Sequence, residues 1–304
     1  MKIIISGGSG LVGSHLIPKL LQRGHSIVNL TTKRNSASSK SNNFSESYWS
    51  PSEGKIDHTI FDGADAVINL AGFSVSNRWT DDNRKKMINS RIQSTDLLVK
   101  AIIDNEVPVK TFITASASGF YASSEKLLSE DENKGVGFLP DLTAEWEKAS
   151  EMLTRHNVRR VALRIGVVLA KEDGALVKML PFFKMGLGSA VGSGKQWMSW
   201  IHIDDLCDMF IYALDNIDLE GIYNAASPNP STNKEFSAEL AKALGKPFFL
   251  PAVPEFALKI AFGEMASMLL ESRKLSSSKI ENTGFKFTHP AIGAALRQIL
   301  TTDK

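Results

Sequence analysis

The chain has 304 residues, of which 43% are hydrophobic and 22% charged, with a formal net charge of +2. That length supplies one large core or two modest ones, and the near-balanced charge gives neither nucleic acid nor an anionic membrane a field to follow. The single cysteine, Cys207, excludes an internal disulfide and fits a reducing, cytoplasmic setting. It sits in an apolar helical stretch and reads as a core residue rather than a nucleophile. The first apolar run is three isoleucines before a glycine, unlike a secretory signal. The longest apolar stretch, 251–270, holds Glu255, Lys259 and Glu264 and so is not a membrane span.

The first fourteen residues carry the strongest pattern. Ile3, Ile4 and Ile5 are β-branched and unalternated, as in a strand buried on both faces. Gly7, Gly10 and Gly13 follow at intervals of three. Gly7 allows the tight turn out of the strand, and Gly10 has no side chain to hold a pyrophosphate away from the backbone. Gly13 lets the next helix sit close to the sheet. Leu11 and Val12 open that helix, whose free N–H groups point at a phosphate. Gly24 and His25 end it before a second strand at 26–31. A strand before and a helix after the glycines predict a dinucleotide site; a glycine-rich turn that binds nothing is the alternative.

The second strand runs into Thr31, Thr32, Lys33 and Arg34. An acid here would take the ribose hydroxyls of NAD, whereas cations suit the 2′-phosphate of NADP. No acid is present, so the cofactor is read as NADP; otherwise Lys33 and Arg34 merely begin a solvated loop. Residues 35–55, rich in Ser and Asn, predict a loop with a short hairpin around Tyr48 and Trp49. A short edge strand is expected at 56–61, and a buried strand at 66–72. The latter ends in Leu70, Ala71 and Gly72, which leave room for a ligand above the sheet.

A long helix is predicted at 81–105, with Met87, Ile92, Leu98 and Ile102 on its apolar stripe. Arg91 lies on the inner part of that stripe and either reaches a phosphate or is a solvated cation. Strands follow at 111–115 and 158–164, the second leading to Val167, which borders the proposed cofactor; a helix is expected at 141–156. Such alternation predicts an α/β fold with a doubly wound parallel sheet. Later come helices at 174–185, 203–214, 232–244, 254–270 and 290–300, and one strand at 222–226 returning to the sheet. Thr232 and Glu235 form a capping box for the third of these helices. Residues 1–170 are read as the cofactor domain and 171–304 as a smaller, mostly helical substrate lobe. In that lobe 186–194, with Lys195 and Gln196, either contacts an anionic substrate group or is a flexible loop. Trp197 and Trp200 read as packing residues.

These residues together resemble the extended short-chain dehydrogenases/reductases: GGSGLVG, DAVINLAG and WIHIDDL are similar to that superfamily. The stretch from Gly174 to Leu206, YNAASPNPSTNKEF, GEMASMLLES and TGFKF narrow the likeness to an atypical, epimerase-like family with a small C-terminal domain of unassigned role. The resemblance spans nearly the whole chain. It implies a Rossmann-like NADP-binding domain and a sugar-nucleotide-epimerase-like fold acting on a small molecule. It implies no particular substrate.

A working member of the superfamily has a Ser or Thr after its fourth strand and, further on, a Tyr and a Lys one helical turn apart. The Lys and the nicotinamide lower the Tyr pKa, so that the phenol exchanges a proton while hydride moves. Counting on from Ser116 to Ser118 reaches Leu142 and Trp146, which lack that chemistry. Tyr121 comes too soon and has Glu125 in the lysine's place. The standard dyad is therefore read as absent, with Ser116 and Tyr121 as the remaining catalytic candidates. His202 is either an acid/base group or a structural residue where the chain enters a helix. The histidines and the cysteine show no metal-ligand spacing, and no metal is proposed. Two readings stand: an NADP-dependent oxidoreductase or epimerase with an unconventional proton donor, and a non-enzymatic NADP-binding protein.

Overall fold

The computed structural model describes residues 1–34, 43–104, 107 and 109–301. In its first part the chain forms β1 (Lys2–Ser6), α1 (Leu11–Gln22), β2 (Ser26–Thr31), β3 (Phe44–Ser50), β4 (Lys55–Ile56) and β5 (Ala66–Asn69). It continues through α2 (Asp81–Asp104), β6 (Thr111–Ala117), β7 (Leu127–Leu128), α3 (Phe138–Lys148) and β8 (Arg159–Ile165). Next come β9 (Val167–Leu169), α4 (Ala175–Lys184), β10 (Trp197–Met198), β11 (Trp200–His202), α5 (Ile203–Asp215) and β12 (Gly221–Ala225). The remainder is β13 (Ser231–Thr232), α6 (Asn233–Ala243), α7 (Glu255–Phe262), α8 (Ser267–Leu270), β14 (Lys274–Leu275), α9 (Ser278–Glu281) and α10 (Ile292–Thr301).

Eight strands make one sheet in the order β12-β8-β6-β5-β1-β2-β3-β4. All neighbours are parallel except β3 and β4. The winding runs from β1 outward to β3, then returns to β5 on the other side of β1. The crevice at this reversal lies above the C-terminal ends of β1 and β5, where open α/β sheets take their ligands.

The isoleucines of β1 explain the layering. Ile3 and Ile5 face a core built with Leu16, Leu20, Leu206 and Phe210 of α1 and α5. Ile4 faces the opposite core, with Leu98 and Ile102 of α2. A polar residue at any of these positions would sit inside one core or the other; a fully buried Ile contributes about 1.5–3 kcal/mol relative to exposure. A third core joins α4, α6 and α10 through Leu176, Leu180, Trp200, Phe236, Leu240 and Leu296. This lobe hangs from the C-terminal ends of β8 and β12, whose chains continue into β9 and β13.

Several expected elements take another form. Residues 44–50 are a sheet strand, pairing with β2 from Ile27 opposite Phe44 to Thr31 opposite Tyr48, rather than loop; residues 35–42 of that expected loop lie outside the described residues. Most of β3 is only half-buried, so its Ser and Glu residues hid it. The expected edge strand at 56–61 is a two-residue strand and a 3₁₀ turn, His58–Phe61. The helix expected at 141–156 begins at Phe138, ends at Lys148 and gives way to a 3₁₀ segment, Glu151–His156. The helix expected at 254–270 is interrupted between α7 and α8, where Gly263 takes φ +60°. Cys207 is buried as expected, and burial pushes its thiol up to about 12.

Candidate functional site

The glycine loop joins β1 to α1 beneath the crevice, and its glycines have separable roles. Gly7 turns the chain at φ +73°, and a β-carbon there would lie 2.6 Å from the Leu70 carbonyl. At Gly13 a β-carbon would lie 2.5 Å from Gly8 Cα and 2.6 Å from the Gly7 carbonyl oxygen. Gly13 thus lets α1 close onto its own loop, a tighter contact than the helix-to-sheet packing expected. At Gly10 a β-carbon would meet only the Gly7 oxygen, at 3.3 Å. Gly10 is also the N-cap of α1, with no side-chain cap and no acid in the first turn, so the amide groups near Leu11 and Val12 keep their affinity for an anion.

Thr31 ends β2, and its Oγ1 accepts a hydrogen bond from the Lys33 amide. Thr32, Lys33 and Arg34 are exposed. The Arg34 guanidinium donates to Tyr48 Oη at 3.2 Å and pairs with Glu53 at 3.3 Å. Sequence reasoning missed both partners because β3, which brings Tyr48 level with Thr31, reads as loop.

On the other side of β1, Asn69 at the end of β5 accepts from Ser6 Oγ and donates to Thr95 Oγ1, locking β1, β5 and α2 together. Leu70, Ala71 and Gly72 continue past the strand. Ser90 and Arg91 of α2 hold the next residue: Phe73 donates its amide to Ser90 Oγ, and Arg91 Nη1 donates to the Phe73 carbonyl at 2.9 Å. The Arg91 guanidinium lies 4.9 Å from the centre of the Trp146 ring. Val167 begins β9 opposite Trp200.

Ser116 and Tyr121 are not at a solvent-facing surface. Ser116 Oγ donates to Glu147 Oε1 at 2.5 Å. Glu147 takes two parallel bonds from Arg164, at 2.8 and 2.9 Å. Arg164 also donates to Tyr121 Oη, which donates in turn to Asn224 Oδ1 at 2.7 Å. The phenol is fully buried, and burial pushes it up to about 12. The phenol left as a catalytic candidate by the sequence is therefore a neutral core group whose one proton is already donated. Leu142 and Trp146 are buried on α3.

His202 is the N-cap of α5. Its Nδ1 accepts the Asp204 amide at 3.0 Å, and its Nε2 pairs with Gln298 Oε1 at 2.8 Å. His289 stacks on it with ring centres 3.9 Å apart. Sequence spacing gave no sign that His202, Asp204 and His289 bring ligand atoms within 4.8 Å of one another. Both nitrogens of His202 are engaged, so that ring has no free lone pair for a cation. In the lobe, Gln196 is buried and donates to the Val191 and Leu269 carbonyls, while Lys195 is exposed. The 186–194 loop is tied to residue 253 by two backbone bonds, so it is neither free nor presented through Gln196. Trp200 is fully buried and Trp197 half-buried beneath Lys274.

The family model for the NAD dependent epimerase/dehydratase family matches residues 3–140 and 159–226. The chain belongs to that family. Its residues 253–299 match a second model, described as a domain of unknown function (DUF1731). Among epimerase family proteins, YfhF of Bacillus subtilis is 35% identical over 306 residues, covering all of this chain and 99% of that protein. Human SDR39U1 is 33% identical over 311 residues, covering 99% of this chain and all of that one. A crystal structure of human SDR39U1 (isoform2) with NADPH matches at TM-score 0.88 and 32% identity over 98% of this chain and 99% of that chain. The UDP-glucose 4-epimerase of Thermotoga maritima matches at TM-score 0.78 over both full lengths with 18% identity, which establishes a shared epimerase fold. No helix among the described residues is long and apolar enough to cross a membrane.

Proposed function

We propose that this chain binds NADP(H) in the crevice above β1 and acts as an epimerase-like oxidoreductase on a small molecule without the usual Tyr–Lys pair. The observation that carries the reading is the loop from Gly7 to Gly13. Its backbone folds against itself at Gly7 and Gly13 and leaves Gly10 open before an uncapped helix. That arrangement fits a pyrophosphate, and the NADPH-bound human relative supports the choice of cofactor. Gly7, Gly10, Leu11, Val12 and Gly13 would hold the pyrophosphate; Leu70, Ala71, Gly72 and Val167 would border the nicotinamide side. Thr31, Thr32, Lys33 and Arg34 would take the 2′-phosphate, which competes with Glu53 for Arg34. When bound, the nicotinamide supplies a hydride donor or acceptor.

The proton side of the chemistry separates this family member from the wider superfamily. None of its four tyrosines, Tyr48, Tyr121, Tyr212 and Tyr223, has a lysine four residues on. The protons of Ser116 and Tyr121 are both committed to buried acceptors. We therefore assign Ser116 and Tyr121 to the scaffold rather than to catalysis. The same observation favours the second reading, a cofactor-binding protein without turnover.

One experiment tests the cofactor site that both readings share, and a second tests turnover. Gly10→Glu places a carboxylate in the pyrophosphate's position and should abolish NADPH binding in fluorescence titration while the far-UV spectrum is unchanged. Unchanged affinity in the folded variant would remove the glycine assignment. Turnover is then measured as NADPH oxidation on a panel of carbonyl compounds. Missing general acid catalysis lowers the rate about 10²–10⁴-fold, so slow oxidation is expected. Fast oxidation abolished by Tyr121→Phe would return that residue to the chemistry.

A further inference from the structure

Apolar exposure is concentrated on one side of the C-terminal region. Of the fourteen large apolar side chains exposed among the described residues, eight fall in two segments, 182–187 and 249–269. The segments are neighbours. The Gly192 amide donates to the Val253 carbonyl and the Val253 amide to the Ala190 carbonyl, and a β-carbon added at Gly186 would lie 3.8 Å from Pro247. Apolar side chains scattered singly over a surface are ordinary; a contiguous face of them marks a contact. Phe182 is 58% exposed, Phe249 75% and Phe256 67%. These three rings alone leave on the order of 400 Å² in water. Met185, Leu187 and Ile260 extend the face toward the about 800 Å² per partner that a stable pair of proteins buries.

Helix α7 is the least covered element of that face. It has eight residues, and Leu258 is its one buried side chain. A helix this short does not hold itself in water and takes its stability from what covers its apolar stripe. Phe256 and Ile260 stand one turn apart on the side opposite Leu258. Along one flank of that stripe Glu255 and Lys259 pair at 3.6 Å, both more than half exposed. Along the other flank lie Ala257 and Ala261, small enough to let another backbone approach.

This pattern is self-complementary. In a closed two-fold contact residue i meets residue j, and j meets i. Two antiparallel copies of α7 bring Phe256 opposite the partner's Ile260, and Ile260 opposite the partner's Phe256. The same registration brings Glu255 beside the partner's Lys259 on the charged flank. An acid and a base one turn apart are matched by their own copy turned end for end. We propose that this protein forms a two-fold homodimer through its C-terminal region, with α7 packed antiparallel on the partner's α7.

Sedimentation equilibrium of the full chain tests this. Wild-type protein at micromolar concentration should have twice the 33.2 kDa mass of the chain. Ile260→Glu should weaken self-association about tenfold or more with an unchanged far-UV spectrum. Phe256→Glu should do the same and serves alone if Ile260→Glu does not fold. Glu255→Lys sets a like charge against the partner's Lys259 and should weaken the dimer a few-fold; combining it with Lys259→Glu should restore the dimer. A monomer throughout the micromolar range overturns the proposal. So does a dimer that both apolar variants leave intact, and so does a double charge swap that fails to restore association. Lys184 and Lys246 are exposed beside Met185 and Pro247, so the competing occupant is an anionic bilayer. Wild-type monomer that floats with phosphatidylglycerol vesicles, and ceases to do so as Ile260→Glu, would assign the face to lipid instead.

Discussion

Glu53 decides how strongly the exposed cations after β2 can select a cofactor. Its carboxylate pairs with both Lys55 and Arg34, and chiefly Lys55 holds it below the usual carboxylate range. Glu53→Gln should release Arg34 and tighten NADPH relative to NADH by a few-fold at most, as for any exposed ion pair. Lys33→Ala with Arg34→Ala should bring NADPH affinity down to that of NADH, read by titrating both ligands. Deeper in, Glu147→Ala would strand the Arg164 guanidinium, which is 3% exposed. Breaking such a pair costs about 3–5 kcal/mol, whereas Ser116→Ala removes one bond to the same carboxylate at about 1.5–3 kcal/mol. Urea unfolding of the two variants should rank them in that order. The turn at Gly7 and the close approach at Gly13 were legible because they depend on local chain geometry. The Ser116–Glu147–Arg164–Tyr121–Asn224 network was not. Its members come from β6, α3, β8, β12 and the turn after β6, and only the folded sheet brings them together.

At the scale of elements, the entry into α5 carries a titration. His202 is 1% exposed, and burial, with His289 stacked against it, lowers its pKa below the ordinary 6.5. Asp204, Asp205 and the ion-paired Lys19 also face this helix end, and Asp205 accepts the Thr288 and His289 amides. The unfolded chain takes up a proton near pH 6.5 that the folded His202 resists. The neutral ring's stability is therefore full above that value and is lost as pH falls toward the folded pKa. Tm should drop between about pH 7.5 and about pH 5.5, and His202→Asn, which keeps a capping oxygen, should reduce that slope. His25, also lowered by burial, leaves a residual slope in the variant. An unchanged slope would show that protonation at His202 is not linked to folding. Helix α1 was legible from its periodicity and flanking glycines. Strand β3 was not, because it is mostly half-buried on both faces and carries Ser and Glu where an apolar run would have marked it.

Across the whole molecule, alternation of strand and helix was enough to anticipate the parallel sheet, because parallel neighbours need crossovers and helices make them. The C-terminal region was anticipated as mostly helical, but its packing was not: the core of α4, α6 and α10 joins segments more than a hundred residues apart. On the function proposed, the sheet's switch point, with its open glycine and adjacent cations, makes this family member an NADP(H) binder. Equilibrium titration of the wild-type protein with NADPH and with NADH, followed by nicotinamide fluorescence, tests it most directly. Saturable binding of NADPH, tighter than that of NADH and reversed by NADP⁺, is the predicted result. Equal affinity for the two, or no saturable binding of either, would contradict it.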